Sequence, residues 1–494
     1  MIRPTPDRLT HATNPKSKIQ NLLPPSLFAK LTSEPTHRPP VEDMLVRLAR
    51  LPLLVMPLGL FSMLLGVDSP KPIRPSGLAT APLQANWQSP WMAGLANDPA
   101  IEAVLAQYLA GLQRQGWSIP DQGVWIQVGN SAIAQHQGNV PMSAASLTKL
   151  ATTLAALHTW PMDHRFDTLV GIDGTLENGV LDGDLVVQGS GDPLFVWEEG
   201  IVLANRLQSL GIQRVTGDLR VTGPFTMNFQ ADPNDSVTAL KQAMSTATWP
   251  TSARQAHGNL PPGTPQPTIQ IDGTVRRVPV GATPDPEWVV RHQSLPLVGI
   301  LKAMNIYSNN VMSDMVADLV GGPRVVIDTA ATAADLPPGE INVINGSGLG
   351  TANQMSARVA VALTVALQQT LAPHGFSVAD VLPVAGEDVG TLIDRRIPPT
   401  AAVKTGTLAE VSALSGMVPT AEKGPVWFAI INRGWDLSGL RVQQDHLLQA
   451  IQAHWGVADA PPEMRTKVRM QQGDFRYGDP DRNIVLAPDL EQGG

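Results

Sequence analysis

The chain has no cysteine, which excludes disulfides, thiolate nucleophiles and cysteine-ligated zinc or iron–sulfur centres. That absence leaves the compartment open, because exported proteins can dispense with disulfides. Aromatic residues are sparse at 5%, yet 43% of residues are hydrophobic, an ordinary share for a globular chain. Basic charge is not in excess: a net charge of −8 gives no footprint for nucleic acid, and that partner class is rejected. The ten histidines form no H-E-x-x-H pattern, so no metal site is expected, and no cofactor is called for. Glycine and proline, 43 and 44 residues, stay below the level of bulk disorder. A length of 494 residues then suggests about two or three domains.

Long apolar runs are almost missing as well. The exception is Leu51 to Val67, 17 residues without a charge. Eight basic residues precede it against four acidic ones, a bias that predicts a cytoplasmic N-terminus with the remainder outside. The run is short of the roughly 20 residues of a spanning helix, and Pro52 and Pro57 interrupt it. A cleaved export signal is the rival, with Ala79-Thr80-Ala81 resembling a cleavage site but lying far downstream. Anchor and signal both stay open. Either makes the membrane a partner through the N-terminal segment and the protein extracytoplasmic (periplasmic).

The expected organisation follows from composition. Residues 1–43 read as a flexible cytoplasmic tail, 44–67 as the export signal or anchor, and 68–86 as a proline-rich linker. Ile101, Val104, Leu105, Tyr108, Leu109 and Leu112 recur at helical spacing. Val124–Val128 and Ala132–Gln135 read as two strands around a tight turn. Near the other end, Val411–Val418 and Val426–Ile431 read as strands, followed by an amphipathic helix from Leu440 to Trp455. The helix and strands of the start thus recur in reverse order, which suits one antiparallel sheet packed on helices. Residues 87–166 and 289–458 are assigned to that domain. Residues 167–288, rich in Gly, Asp, Thr and Val, are read as an inserted β-rich domain with few helices beyond Val202–Leu210. Residues 459–494 are read as a polar, loosely ordered tail.

Three motifs carry chemistry: Ser146-Leu147-Thr148-Lys149, Ser308-Asn309-Asn310 and Lys404-Thr405-Gly406. A serine hydroxyl needs a neighbouring base. Ser146 and Lys149 are spaced i,i+3, so a helix sets them on one face, with Ser146 in the first turn where the dipole favours negative charge. A desolvated Lys149 beside other cations has a lowered pKa and can serve as that base. Ser308 can relay a proton between the two lysines, and Asn310 can hold a substrate amide. The third motif reads as a strand edge along which a substrate backbone can lie, with Gly406 removing an obstruction. Lys404 adds positive charge, Thr405 and Thr407 can hydrogen-bond a carboxylate, and the N–H groups of Ser146 and Thr407 suit an oxyanion hole. Alone, each motif is commonly a solvated pair, a helix cap or an ordinary strand. In this order they form the S-x-x-K, S-x-N, K-T-G signature of penicillin-interacting serine acyl-enzymes.

At these residues the chain resembles the penicillin-binding protein 4 type of D-Ala-D-Ala carboxypeptidase/endopeptidase, the low-molecular-mass class C penicillin-binding proteins. The resemblance extends to Gly183–Pro193, to Asn345-Gly346-Ser347-Gly348-Leu349, and to Leu382–Gly386 with Gly390-Thr391-Leu392. It covers about residues 90 to 455. It implies an α/β (α+β) fold: a β-lactamase/transpeptidase-like domain, its antiparallel sheet flanked by helices, interrupted by the insert. The implied activity is a serine DD-peptidase cleaving D-Ala-D-Ala or D-Ala cross-links of peptidoglycan stem peptides, with β-lactams as inhibitors. Asn345 stands where aspartate is usual, and the interval from Ser146 to Ser308 is short for the family. The rivals are a serine β-lactamase, whose class A type the long insert and the absence of an evident E-x-x-x-N element argue against, and a non-catalytic muropeptide or β-lactam binder, which would show a broken motif.

Overall fold

The computed structural model describes residues 94–281 and 286–487. The expected N-terminal tail, export segment and linker therefore lie outside the described residues. Among those described, no helix is long and apolar enough to cross a membrane.

Helix α1 (Pro99–Arg114) starts where Asp98 accepts hydrogen bonds from the Ala100 and Ile101 N–H groups, with Pro99 in the first turn. Both features satisfy or remove otherwise orphaned donors. Its buried face is the periodic stripe Ile101, Leu105, Tyr108 and Leu112, each apolar side chain contributing about 1.5–3 kcal/mol on burial. Strands β1 (Gln122–Val128) and β2 (Ser131–His136) form the hairpin, and helix α2 (Thr148–Thr159) follows. The chain then leaves for a second sheet. Strands β3 (Asp167–Glu177) and β4 (Val180–Gln188) are joined through Asn178 and Gly179, both at positive φ, the geometry of a tight hairpin turn. Next come helix α3 (Trp197–Ser209), strand β5 (Leu219–Thr222), helices α4 (Pro233–Ala243) and α5 (Thr251–Asn259), and strands β6 (Val275–Arg277) and β7 (Glu287–Gln293).

The returning chain adds helices α6 (Leu297–Ile306), α7 (Asn310–Leu319) and α8 (Ala357–Leu371), strands β8 (Ala402–Leu408), β9 (Val411–Thr420) and β10 (Gly424–Arg433), and helix α9 (Leu437–His454). Strand β10 pairs antiparallel with β1, Phe428 opposite Ile126. Early and late segments thus share one sheet, in the order β2-β1-β10-β9-β8, with Gly94–Leu95 beyond β2. Strand β8 lies at its edge. One core joins α1 and α9 to this sheet through Leu112, Phe428, Leu448 and Trp455.

The structure corrects three expectations. Helices α4 and α5 were not anticipated in the middle region. Yet Asp232 caps α4, Pro233 opens it, and Val237, Leu240 and Ala243 are buried at helical spacing. The second sheet also extends past residue 288, because β7 pairs with β3, Arg291 opposite Leu169. Finally, residues 459–487 are not a loose tail. Strand β11 (Asn483–Val485) pairs with β7, and buried Arg482 meets buried Glu199 of α3 at 2.6 Å while donating to Gln293 O at 2.8 Å. A three-residue strand and a buried ion pair give no apolar period, so polar composition concealed the anchorage.

Candidate active site

Ser146 lies not in the α2 helix proper but in the 3₁₀ turn Ala145–Leu147 that leads into it. The i,i+3 relation to Lys149 survives, because the turn runs straight into the helix. Ala145 is buried at a φ of 47°, a conformation uncommon for residues other than glycine. The turn is braced by Gly348, whose φ is 81° and where an added Cβ would overlap Ala145 O and come within 2.7 Å of Thr148 Oγ1. Gly348→Ala is expected to push the nucleophile turn aside, costing about 2–4 kcal/mol of stability and slowing acylation at least about tenfold. Thermal melting and timed labelling with fluorescent penicillin check this; wild-type labelling rates would refute the bracing role.

Lys149 is fully buried among the inward face of α2. Its Nζ donates to Ser146 Oγ at 3.0 Å, Asn310 Oδ1 at 2.9 Å and Ser347 O at 2.7 Å. Burial pulls its pKa down to about 7, with Asp314 opposing the shift. That places a neutral amine within reach at physiological pH, able to accept the hydroxyl proton. Asn310 opens α7, whose cap is Asn309, its side chain accepting from Met312 N at 3.1 Å. Just before the cap, Ser308 has a φ of 50°, a strain of order 1–3 kcal/mol of the kind found at functional sites.

Lys404 extends from β8 and is also fully buried. Its Nζ donates to Ser308 Oγ at 3.0 Å and to Thr405 O at 2.8 Å. Burial first, then the like charge of Lys149, holds its pKa well below the usual lysine value. The expected residues thus gather into two hydrogen-bonded groups, Ser146–Lys149–Asn310 and Ser308–Lys404. Among the described residues no hydrogen bond joins the groups directly, although the repulsion between their ammonium groups marks their proximity. Strand β8 presses against the nucleophile turn through Gly406, where a Cβ would sit 3.0 Å from Ala144 O and 3.2 Å from Ala145 Cβ. Thr405 is buried and Thr407 exposed.

Two contributors escaped the motif reading. One is the Ser347 carbonyl, which accepts from Lys149 Nζ. Its loop is held by Ser347 N donating to Asp314 Oδ1 at 2.8 Å, and by Gly346 O accepting from Thr152 and Ser313. Asn345, where aspartate was expected, keeps an acceptor in place: its Oδ1 accepts from Gly348 N at 2.8 Å. The other is Arg441 of α9, whose Nη2 donates to Thr407 Oγ1 at 3.0 Å.

A buried amine beside a serine on a helix-leading turn, a second buried amine on a facing strand, and an antiparallel sheet between helices together define a serine peptidase of the transpeptidase-like class. The chain matches the D-Ala-D-Ala carboxypeptidase 3 (S13) family over residues 121–249 and 245–453, and it belongs to that family. Carboxypeptidase DacB of Mycolicibacterium smegmatis is 25% identical over 401 residues, 71% of this chain and 82% of that protein. A D-alanyl-D-alanine carboxypeptidase of Actinomadura sp. is 33% identical over 168 residues, 30% of this chain and 31% of that one. Among solved structures, a penicillin G-acylated predatory endopeptidase of Bdellovibrio bacteriovorus, in complex with an immunity protein, superposes with a TM-score of 0.63 at 21% identity. That match covers 74% of this chain and 99% of the other. Penicillin-binding protein 4 of Haemophilus influenzae gives 0.54 at 18% identity, covering 70% and 99%. At such identities the structures speak for the fold alone.

Proposed function

We propose that this protein hydrolyses the D-Ala-D-Ala bond of peptidoglycan stem peptides, and the equivalent bond of D-Ala cross-links, through an ester on Ser146. Neutral Lys149 takes the Ser146 proton as Oγ attacks the carbonyl of the penultimate D-alanine. The N–H groups of Ser146 and Thr407 receive the developing oxyanion. The proton passes by way of Ser308, steadied by Lys404, to the leaving amine as the C–N bond breaks. Water then attacks the ester, returning the proton to Ser146 and releasing the shortened peptide. β-Lactams acylate the same serine, their amide standing in for the scissile bond. A single observation supports the assignment most: Lys149 Nζ is bonded at once to Ser146 Oγ and Asn310 Oδ1, residues of two separate motifs.

A cavity of about 600 Å³ opens beside the β8–β9 turn, lined by Ser143, Gln354, Leu408 and Glu410 among others, room for the peptide leading to the scissile bond. Such a substrate sets the site of action outside the cytoplasmic membrane, with residues 51–67 as the export or anchoring element. The test incubates the purified protein with stem pentapeptide and with cross-linked sacculi, then separates the muropeptides. Free D-alanine and loss of cross-linked dimers are expected, both blocked by benzylpenicillin. Rapid turnover of a chromogenic cephalosporin without D-alanine release would replace this reading with a β-lactamase.

A further inference from the structure

Trp435 stands in the turn between β10 and α9, with 80% of its surface exposed. Among the described residues it is the most exposed large apolar side chain, and no other aromatic ring packs against it. A lone apolar residue on a surface is ordinary, but this one is held still. On one side Gly434 N donates to Glu410 O at 2.9 Å. On the other, Asp436 accepts from Gly439 N at 2.9 Å to cap α9. Half-buried Trp117 backs the turn, since a Cβ added at Gly434 would come within 3.1 Å of its Cδ1. The Trp117 indole N–H donates to no described residue. Two indoles, one behind the turn and one exposed on it, are thus fixed in advance of any ligand.

This turn borders the cavity assigned above to the incoming peptide. Arg433 and Glu410 line that cavity, as do Pro120 and Asp121, which follow Trp117 closely in the chain. Arg433 Nη2 meets Glu410 Oε2 at 3.2 Å, so the two charges offset each other and the rim suits an uncharged ligand with an apolar face. The spacing says which one. Leu408, at the end of β8, lies opposite Val411, and Val411 opposite Arg433, a step of two strand spacings or about 10 Å. Trp435 lies two residues beyond, at most about 7 Å further. A stem pentapeptide with its scissile carbonyl at Ser146 keeps about four residues on the acyl side, roughly 14 Å when extended. Its far end therefore falls near Trp435. What is joined to that end in the cell wall is a sugar of the glycan strand, a pyranose with an apolar C–H face and hydroxyls around it.

Resting on the DD-peptidase reading above, we propose that Trp435, with Trp117 beside it, binds the glycan sugar that carries the donor stem peptide. The exposed indole covers the apolar face of the pyranose, and the Trp117 N–H is available to a ring substituent. The enzyme then prefers stem peptides still attached to glycan over the same peptides free in solution. The contact lies far from the reacting bond, so it strengthens binding of substrate and transition state alike.

The test measures D-alanine release from two substrates, a free stem pentapeptide and the same peptide on its N-acetylglucosaminyl-N-acetylmuramyl disaccharide. Wild-type KM should be lower for the disaccharide form by about 5- to 30-fold. Trp435→Ala should remove that advantage, raising KM for the disaccharide form alone and leaving kcat and the free peptide unchanged. Trp435→Phe should restore part of it. Unaltered acylation by benzylpenicillin serves as the control for folding. Equal wild-type KM values for the two substrates would overturn the proposal. So would a rise in KM on both in the alanine variant, or on neither. Failure of the wild-type protein to release D-alanine from either substrate would instead strike the DD-peptidase reading itself.

Discussion

Ser146→Ala is expected to abolish covalent labelling by benzylpenicillin and to lower D-alanine release by roughly 10⁴-fold or more, the scale of losing a nucleophile that works as a unit with its base. The loss should leave the fold intact. Among the described residues the Ser146 hydroxyl has one hydrogen bond, from Lys149, and that amine keeps its bonds to Asn310 and Ser347. The turn itself is held by buried Ala145 and Leu147 and by the close approach of Gly348. A melting temperature near the wild-type value, equivalent to a change of about 1 kcal/mol or less, should therefore accompany complete loss of the acyl adduct. Intact-protein mass spectrometry after incubation with penicillin reads the outcome directly. An adduct retained by the alanine variant would place the nucleophile elsewhere and dismantle the site as drawn.

What could be read from the sequence divides along physical lines. Ser146 and Lys149 are three positions apart, so local helical geometry alone predicts their contact. The main sheet was legible because β1, β2, β9 and β10 are apolar runs set off by turn residues. Other contacts depend on segments far apart in sequence. Lys404 meets Ser308 across 96 positions, and Lys149 meets Ser347 O across 198. The first pair was nameable because both residues belong to recognisable motifs. The second was not, because any residue can offer a carbonyl and only the resemblance at Asn345–Leu349 marked the loop. Arg441 lacked any motif: its contact appears only once α9 packs on β9, which brings its guanidinium to Thr407, 34 positions back. Strand β11 was invisible for a different reason. Its three residues take their pairing from β7 and their anchorage from the Arg482–Glu199 ion pair, neither of which has a periodic signature.

Lys149→Met tests the proton chemistry with comparable force. Methionine nearly fills the lysine volume, so packing along α2 is preserved while the base is gone. The Ser347 carbonyl and Asn310 side chain lose a donor, a cost of about 1–3 kcal/mol, offset in part because a fully buried amine is no longer kept out of water. Stability should thus change little while acylation falls by roughly 10³-fold or more, the larger share of an activated nucleophile's advantage. The wild-type pH profile supplies the second half of the argument. Burial lowers the Lys149 pKa to about 7, so the amine is mostly neutral above that value and protonated below it. Acylation by penicillin should then rise about tenfold per pH unit up to about 7 and level off beyond. The same shift acts on stability with a defined sign. The folded state binds fewer protons at Lys149 than the unfolded chain between about 7 and the ordinary lysine value of 10.5, so this residue's contribution to stability grows as pH rises through that window. The methionine variant should lose both the acidic limb of the acylation profile and this alkaline gain. An acylation rate flat from pH 5 to 8 in the wild type would remove Lys149 from the role of base, whatever its distance from Ser146.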